Sequence, residues 1–149
     1  MKGKGVLPPT YLLVSIVVMV VLHFFLPVTI IIPLPWSAIG IIPLALGIAI
    51  NIVADSALHK ADTTVKPLEE STALVTSGAY RISRHPMYFG FVLILIGVAI
   101  LLGSLSPYVV ILIFAILMDQ IFIKVEERML EARFGGEWLA YKHKTRRWI

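Results

Sequence analysis

Four apolar runs, separated by short breaks or by one long polar stretch, dominate the chain. They extend over Tyr11–Ile32, Ser37–Leu58, Pro86–Gly103 and Tyr108–Ile123. A bilayer core calls for ~20 apolar helical residues. The pattern therefore predicts an all-α, polytopic membrane helical bundle with four transmembrane spans, at about 11–32, 37–58, 86–103 and 108–123. Proline punctuates it. Pro8 and Pro9 precede the first run, and Pro86 heads the third, where a missing N–H is harmless in a first helical turn. Pro33-Leu34-Pro35-Trp36 and Ser104–Pro107 read as tight, uncharged turns. Gly40, Gly47 and the alanines give the second run a small-residue face suited to close helix packing. Beyond the fourth run, Lys124–Phe134 continues as an amphipathic helix that Gly135-Gly136 stops. Glu137–Lys144 reads as a further short helix with Trp138 and Tyr141 on its apolar side. Lys144–Ile149 is a basic tail with an interfacial Trp. The first run is long for a signal peptide and lacks a small-x-small cleavage site, which favours an uncleaved span.

Composition narrows the class. The chain has 149 residues, 58% of them hydrophobic, which fits a single membrane-embedded domain over 1–149. There is no cysteine, so disulfides and thiolate metal sites are excluded. The formal charge of +4 does not indicate nucleic acid. All 13 Lys and Arg fall at the N-terminus, within 59–86, or from Lys124 onward, and the two short turns carry none. Four spans put the three charged regions on one face, and the positive-inside rule makes that face cytoplasmic. Both termini and the site are expected there.

The chemistry concentrates in Thr76–Gly90, a polar knot at the edge of an apolar segment, which is costly to place in a membrane. The four-span topology brings it to the same face as Glu126 and Glu127. Tyr80, Arg81, Arg84, His85, Tyr88, Glu126 and Glu127 would then share one site. The carboxylates can accept from an ammonium group or a ribose. The cationic and hydroxyl groups can hold a carboxylate or orient an adenine. One His and two adjacent Glu do not suit a metal, and no Ser–His pair suggests a hydrolase. A plain interfacial ion-pair cluster remains the alternative. His23 reads as a bundle-facing or interfacial histidine. Asn51 and Asp55 share a helix face, as a helix end near water or as a polar wall beside a ligand. Asp119 and Gln120 read as helix-to-helix hydrogen-bonding groups or as the lining of a lateral passage.

Leu74–Tyr80, then Arg84-His85-Pro86-Met87-Tyr88-Phe89-Gly90, Glu126-Glu127, Phe134-Gly135 and Trp138 with Tyr141, resemble the isoprenylcysteine carboxyl methyltransferase family. The wider group of integral-membrane S-adenosylmethionine methyltransferases, phospholipid N-methyltransferases included, is similar. The resemblance covers roughly 62–149. It implies an S-adenosylmethionine site in which Ala73, Leu74 and Val75 line the cofactor through backbone, Tyr80, His85, Pro86, Met87 and Tyr88 contact it, and Glu126 holds its polar end. Arg84 and Glu127 are the pair implied at the catalytic position, bracing the site. Direct methyl transfer to a lipid-like or isoprenoid substrate follows, with membrane lipids as surroundings and no metal or nucleic acid. The eukaryotic carboxyl methyltransferases carry a substrate-engaging Arg four residues before the first Glu; this chain has Phe122 there.

Two other readings stay open. Membrane isoprenoid and sterol-type reductases share an Arg-His-Pro-x-Tyr-x-Gly segment and bind NADPH, for which more basic residues would be expected. A non-enzymatic transporter or lipid-binding protein would lean on the intramembrane acids Asp55 and Asp119.

Overall fold

The computed structural model describes residues 5–149; Lys2 and Lys4 of the basic N-terminal segment lie outside the described residues. Six α-helices follow in order: α1 (Pro8–Phe25), α2 (Ile41–Lys60), α3 (Pro86–Leu102), α4 (Pro107–Leu117), α5 (Lys124–Phe134) and α6 (Gly136–Lys144). Among the described residues there is no strand, only isolated bridges at Ile30–Ser104 and Ser83–Arg146. A 3₁₀ turn, Trp36–Gly40, leads into α2. A π-helical turn, Met118–Ile123, joins α4 to α5 in one continuous rod, Pro107–Phe134. Among the described residues three helices are long and apolar enough to cross a membrane: Pro8–Phe25, Trp36–Lys60 and Pro107–Phe134. The fourth apolar helix, α3, is shorter.

The helix boundaries follow local chemistry. Prolines open α1, α3 and α4, where no intrahelical donor is lost. Gly103 at φ +76° closes α3, its N–H returning to the Ala99 carbonyl at 3.0 Å, and Gly135 at φ +52° closes α5. The first span needs correction: the helix begins at Pro8 and stops at Phe25 rather than continuing to Ile32. Pro27 pushes Leu26 out of the helical region, to φ −145°, ψ 60°. Residues 26–32 then run beside the 103–106 turn. Thr29 O accepts from Leu105 N at 3.0 Å, and Gly103 O accepts from Ile31 N at 2.9 Å. The extended stretch after α1 and the turn after α3 therefore meet at one end of the bundle. His23 faces inward there, its Nδ1 2.8 Å from the Oγ of fully buried Ser104.

Tertiary contact is densest between α2 and α3. A Cβ at Gly40 would lie 2.5 Å from the Gly97 carbonyl, and one at Gly97 would lie 2.6 Å from Leu44 Cβ. Gly47 and Gly90 oppose each other in the same way. This is the close backbone approach that small residues permit between membrane helices. Asn51 turns into this seam, its Nδ2 donating to Gly47 O at 2.9 Å, while Asp55 pairs with His59 at 3.3 Å in an exposed position. The apolar core is built from α1, α3, α4 and the π turn around Met19, Leu95, Phe114 and Met118, all essentially inaccessible. Outward faces carry exposed Val14, Val17, Ile42, Leu46, Ile52, Leu112 and Ile116, an apolar surface suited to lipid. Gly97→Ala should force α2 and α3 apart and cost about 1–3 kcal/mol. Thermal unfolding in detergent measures it; an unchanged midpoint would mean the seam can open freely.

Candidate functional site

The polar knot folds as a tight path into α3. Gly78 at φ +60° starts a 3₁₀ turn over Gly78–Arg81, and His85, at φ −130° and ψ 60°, is the residue before α3. The backbone groups here are satisfied by a segment distant in sequence. Arg84 N donates to Arg146 O at 2.9 Å, and Ser83 Oγ donates to Arg147 O at 3.1 Å. Ser83 Oγ also accepts from His85 N at 3.1 Å.

Side chains converge on two adjacent carboxylates with different surroundings. Neighbouring residues on an α-helix point ~100° apart, and here that angle separates an interior from a cavity. Glu127 is 5% exposed. Its Oε1 accepts from Arg84 Nη2 at 2.9 Å and Nε at 3.1 Å, and lies 3.3 Å from His85 Nε2. Arg147 adds Nη2 to Oε2 at 2.7 Å and Nε to Oε1 at 3.3 Å. Arg84 also spends Nη1 on the Lys142 and Thr145 carbonyls, at 3.0 and 3.1 Å, and its guanidinium lies 5.9 Å from the Trp138 ring centroid. Glu126 instead accepts from Tyr88 Oη at 2.6 Å and lies 3.4 Å from His85 Nδ1. His85 thus bridges both acids.

Beside this network lies a cavity of about 520 Å³. Ala73, Leu74 and Val75 line it from the loop. Tyr80, His85, Pro86, Met87 and Tyr88 line it from the knot and the head of α3, and Glu126 lines it from α5. Arg84 also reaches the wall, whereas Glu127 lies behind it. Tyr88 and Glu126 are 38 residues apart in sequence. Sequence reasoning missed the rest of the wall: Leu7, Pro8 and Pro9 ahead of and opening α1, the loop 64–71, Phe91 on α3, and Met129, Leu130 and Arg133 on α5. Trp138 and Tyr141 of α6 complete it, and Tyr141 Oη donates to Tyr80 O at 2.6 Å. The Trp138 indole N–H is buried and has no acceptor among the described residues. Asn51, Asp55, Asp119 and Gln120 do not reach the cavity. Asp119 instead accepts from Arg147 Nη1 at 3.1 Å, and Gln120 Oε1 accepts from Lys124 Nζ at 2.8 Å. Phe122 is buried between Tyr11 and Tyr88, its ring centroid 6.2 Å from that of Tyr88.

Burial and charge set the titration of this rim. Burial pushes the Tyr141 hydroxyl up to about 12, against the opposing pull of the Arg84 charge. Burial and the Glu126 charge keep Tyr80 protonated well above the usual phenol range. For His85, burial alone would favour the neutral ring, but hydrogen bonds to Glu126 and Glu127 outweigh it and raise the pKa above 6.5. A raised folded-state value stabilises the fold fully below pH 6.5, and the gain disappears as pH climbs through the higher folded value. The unfolding midpoint should therefore fall as pH rises above 6.5. His85→Gln should flatten that slope; a slope identical in the variant would assign it to another group.

Comparison with known proteins identifies the family. The family of phospholipid methyltransferases matches residues 36–137. A protein-S-isoprenylcysteine O-methyltransferase of Saccharomyces cerevisiae is 37% identical over 99 residues, 64% of this chain and 40% of that protein. Protein-S-isoprenylcysteine O-methyltransferase A of Arabidopsis thaliana is 37% identical over 76 residues, 49% of this chain and 37% of that protein. An uncharacterized protein of Haemophilus influenzae is 38% identical over 63 residues, 42% of this chain and the whole of that protein. The chain thus spans about two fifths of the length of the yeast and plant relatives. The match covers well over half of the chain and includes the knot, the glutamate pair and the head of α6: the protein belongs to the phospholipid methyltransferase family.

Proposed function

We propose that the protein is an integral-membrane methyltransferase that takes its methyl group from S-adenosylmethionine and passes it to a lipid-like or isoprenoid substrate. The observation that carries this reading is the cavity at the rim, where the loop 73–75, the knot and Glu126 form one wall. Its volume lies in the ~300–1,000 Å³ range of small-molecule sites. The residues fit the cofactor. The Glu126 carboxylate stands on the wall, held by Tyr88 and His85, as an acceptor for an ammonium or ribose group. The buried, unpartnered Trp138 N–H is a donor beside the same space. Apolar Leu74, Met87 and Phe91 supply flat contact for a base.

The cofactor, when bound, supplies a methyl group on a sulfonium centre. The protein's residues position the partners and exclude water. Arg84 and Glu127 act by holding the rim in shape, because the Arg84 guanidinium is engaged by Glu127 and two carbonyls. Phe122 stands at the sequence position where the eukaryotic carboxyl methyltransferases carry a substrate-engaging Arg, so a prenylcysteine carboxylate is not the acceptor this reading names.

We place the single domain, 1–149, in the membrane with four spans, α3 being the short one. The charged rim, α5 and α6 face the cytoplasm by the positive-inside rule. The cofactor enters there, and the apolar acceptor enters from the bilayer. A pyrophosphate-bearing cofactor such as NADPH fits less well, because two of the three cations on the wall are already paired, Lys66 with Glu69 at 3.6 Å and Arg84 with Glu127 at 2.9 Å, and Arg133 shares the cavity with Glu69, Glu70 and Glu126. Neither candidate transport acid stands alone, since Asp119 pairs with Arg147 and Asp55 with His59. Incubation of the purified protein with methyl-labelled S-adenosylmethionine and a membrane lipid extract should move label into the organic phase. No transfer into any lipid fraction would overturn the activity.

A further inference from the structure

The basic segment after α6 does not behave as a solvated tail. Thr145 is buried, and Trp148 packs against the apolar core. Between them, Arg147 reaches two acids on the α4–α5 rod, Asp119 and Glu127. In a regular α-helix these two positions would lie about 80° apart around the axis. Asp119 sits in the π turn, whose extra residue closes most of that gap and turns both acids toward one guanidinium.

We propose that Arg147 is a positioning residue for the cavity: it fixes the Glu127 carboxylate, and through it the placement of Arg84 and His85. Glu127 Oε1 is shared by Arg84 and His85, but among the described residues Oε2 has Arg147 as its sole hydrogen-bond partner, at 2.7 Å. The paired contacts, Nη2 to Oε2 and Nε to Oε1, make a two-pronged grip that sets the carboxylate plane. Asp119 in turn holds Nη1 at 3.1 Å and stops the guanidinium from swinging away. Without the grip, Glu127 can rotate, and the shared oxygen no longer defines one position for the two wall residues. Arg84 lies over Trp138 and His85 touches Glu126, so the disturbance reaches groups that line the cavity. The identity of the ligand rests on the methyltransferase reading; the geometry does not.

The test uses the full chain in detergent, with S-adenosylhomocysteine as calorimetric probe and the ligand-free His85 ring followed by NMR titration. Arg147→Ala should raise the dissociation constant about ten-fold. Arg147→Lys keeps the charge but loses the two-pronged grip, and should recover only part of the affinity. Because the Lys variant preserves charge, a moved His85 midpoint in it reports a moved carboxylate. A merely structural brace would lower the melting temperature and leave both readouts unchanged, and that result overturns the proposal. Should Arg147→Ala not fold, Arg147→Lys decides by the same readouts. If the parent chain does not bind the probe, the methyltransferase reading falls, and the ligand-free titration still decides the role of Arg147.

Discussion

Glu127→Ala should lower the stability of the bundle by about 3–5 kcal/mol, the usual cost of removing one partner from a buried ion pair. The carboxylate is 5% exposed and receives Arg84, Arg147 and the His85 ring. Truncation leaves two guanidinium groups and an imidazole facing one another with no nearby counter-charge except Glu126 and Asp119. The Arg84 side chain, 9% exposed, has little access to water in compensation. Thermal unfolding in detergent should show a large fall in midpoint. The chain should also lose the docking of 145–148 on Ser83 and Arg84, read as faster amide exchange in that segment. A variant that melts within a degree or two of the parent would show that the cluster contributes little and that apolar packing alone holds the rim.

Glu126→Gln should separate binding from stability. This side chain is 20% exposed and stands on the cavity wall. Its loss leaves His85 paired with Glu127, and Tyr88 with an amide oxygen to donate to, so folding should survive. What disappears is a negative charge on the cavity wall. Removing one partner of a desolvated charged contact costs ~2–5 kcal/mol, so affinity for S-adenosylhomocysteine should fall by about 30-fold or more. Tyr88→Phe, which releases Glu126 from its 2.6 Å contact, should cost less, about 5–10-fold. Two neighbouring acids would thus give opposite phenotypes: one variant fails to hold its shape, the other holds it and fails to bind. Equal binding by Glu126→Gln and the parent would remove Glu126 from the site.

Much of this architecture was legible because the physics that sets it is local. The placement of every Lys and Arg away from two short turns put those turns on one side of the bundle, and there Leu105 N bonds to Thr29 O, in the stretch that leads to the first of them, at 3.0 Å. Gly135 and Pro86 marked helix ends because a positive φ and a missing donor are properties of single residues. The shared rim of the knot and the glutamate pair was expected on topology, and His85 lies 3.4 and 3.3 Å from the two acids. The first span was overrun because residues 26–32 are apolar whether helical or extended; Pro27 was the signal that should have ended it. The π turn left no mark, since Leu117–Ile123 stays mostly apolar and periodicity over so short a stretch does not distinguish 3.6 residues per turn from a locally wider turn. Arg147 was invisible as a partner of Glu127 because a pair 20 residues apart, across a Gly-Gly break and another helix, has no local pattern. The contribution of Pro8 and Pro9 to the cavity wall was hidden for the same reason.

A sulfonium nucleoside should fit the rim cavity walled by the 73–75 loop, the knot and Glu126. Isothermal calorimetry on the detergent-solubilised chain, titrated in parallel with S-adenosylhomocysteine and with NADPH, puts this fit to the most direct test. S-adenosylhomocysteine should bind saturably, more weakly in Glu126→Gln, and NADPH should not bind. Saturable NADPH binding with no response to S-adenosylhomocysteine would contradict the fit.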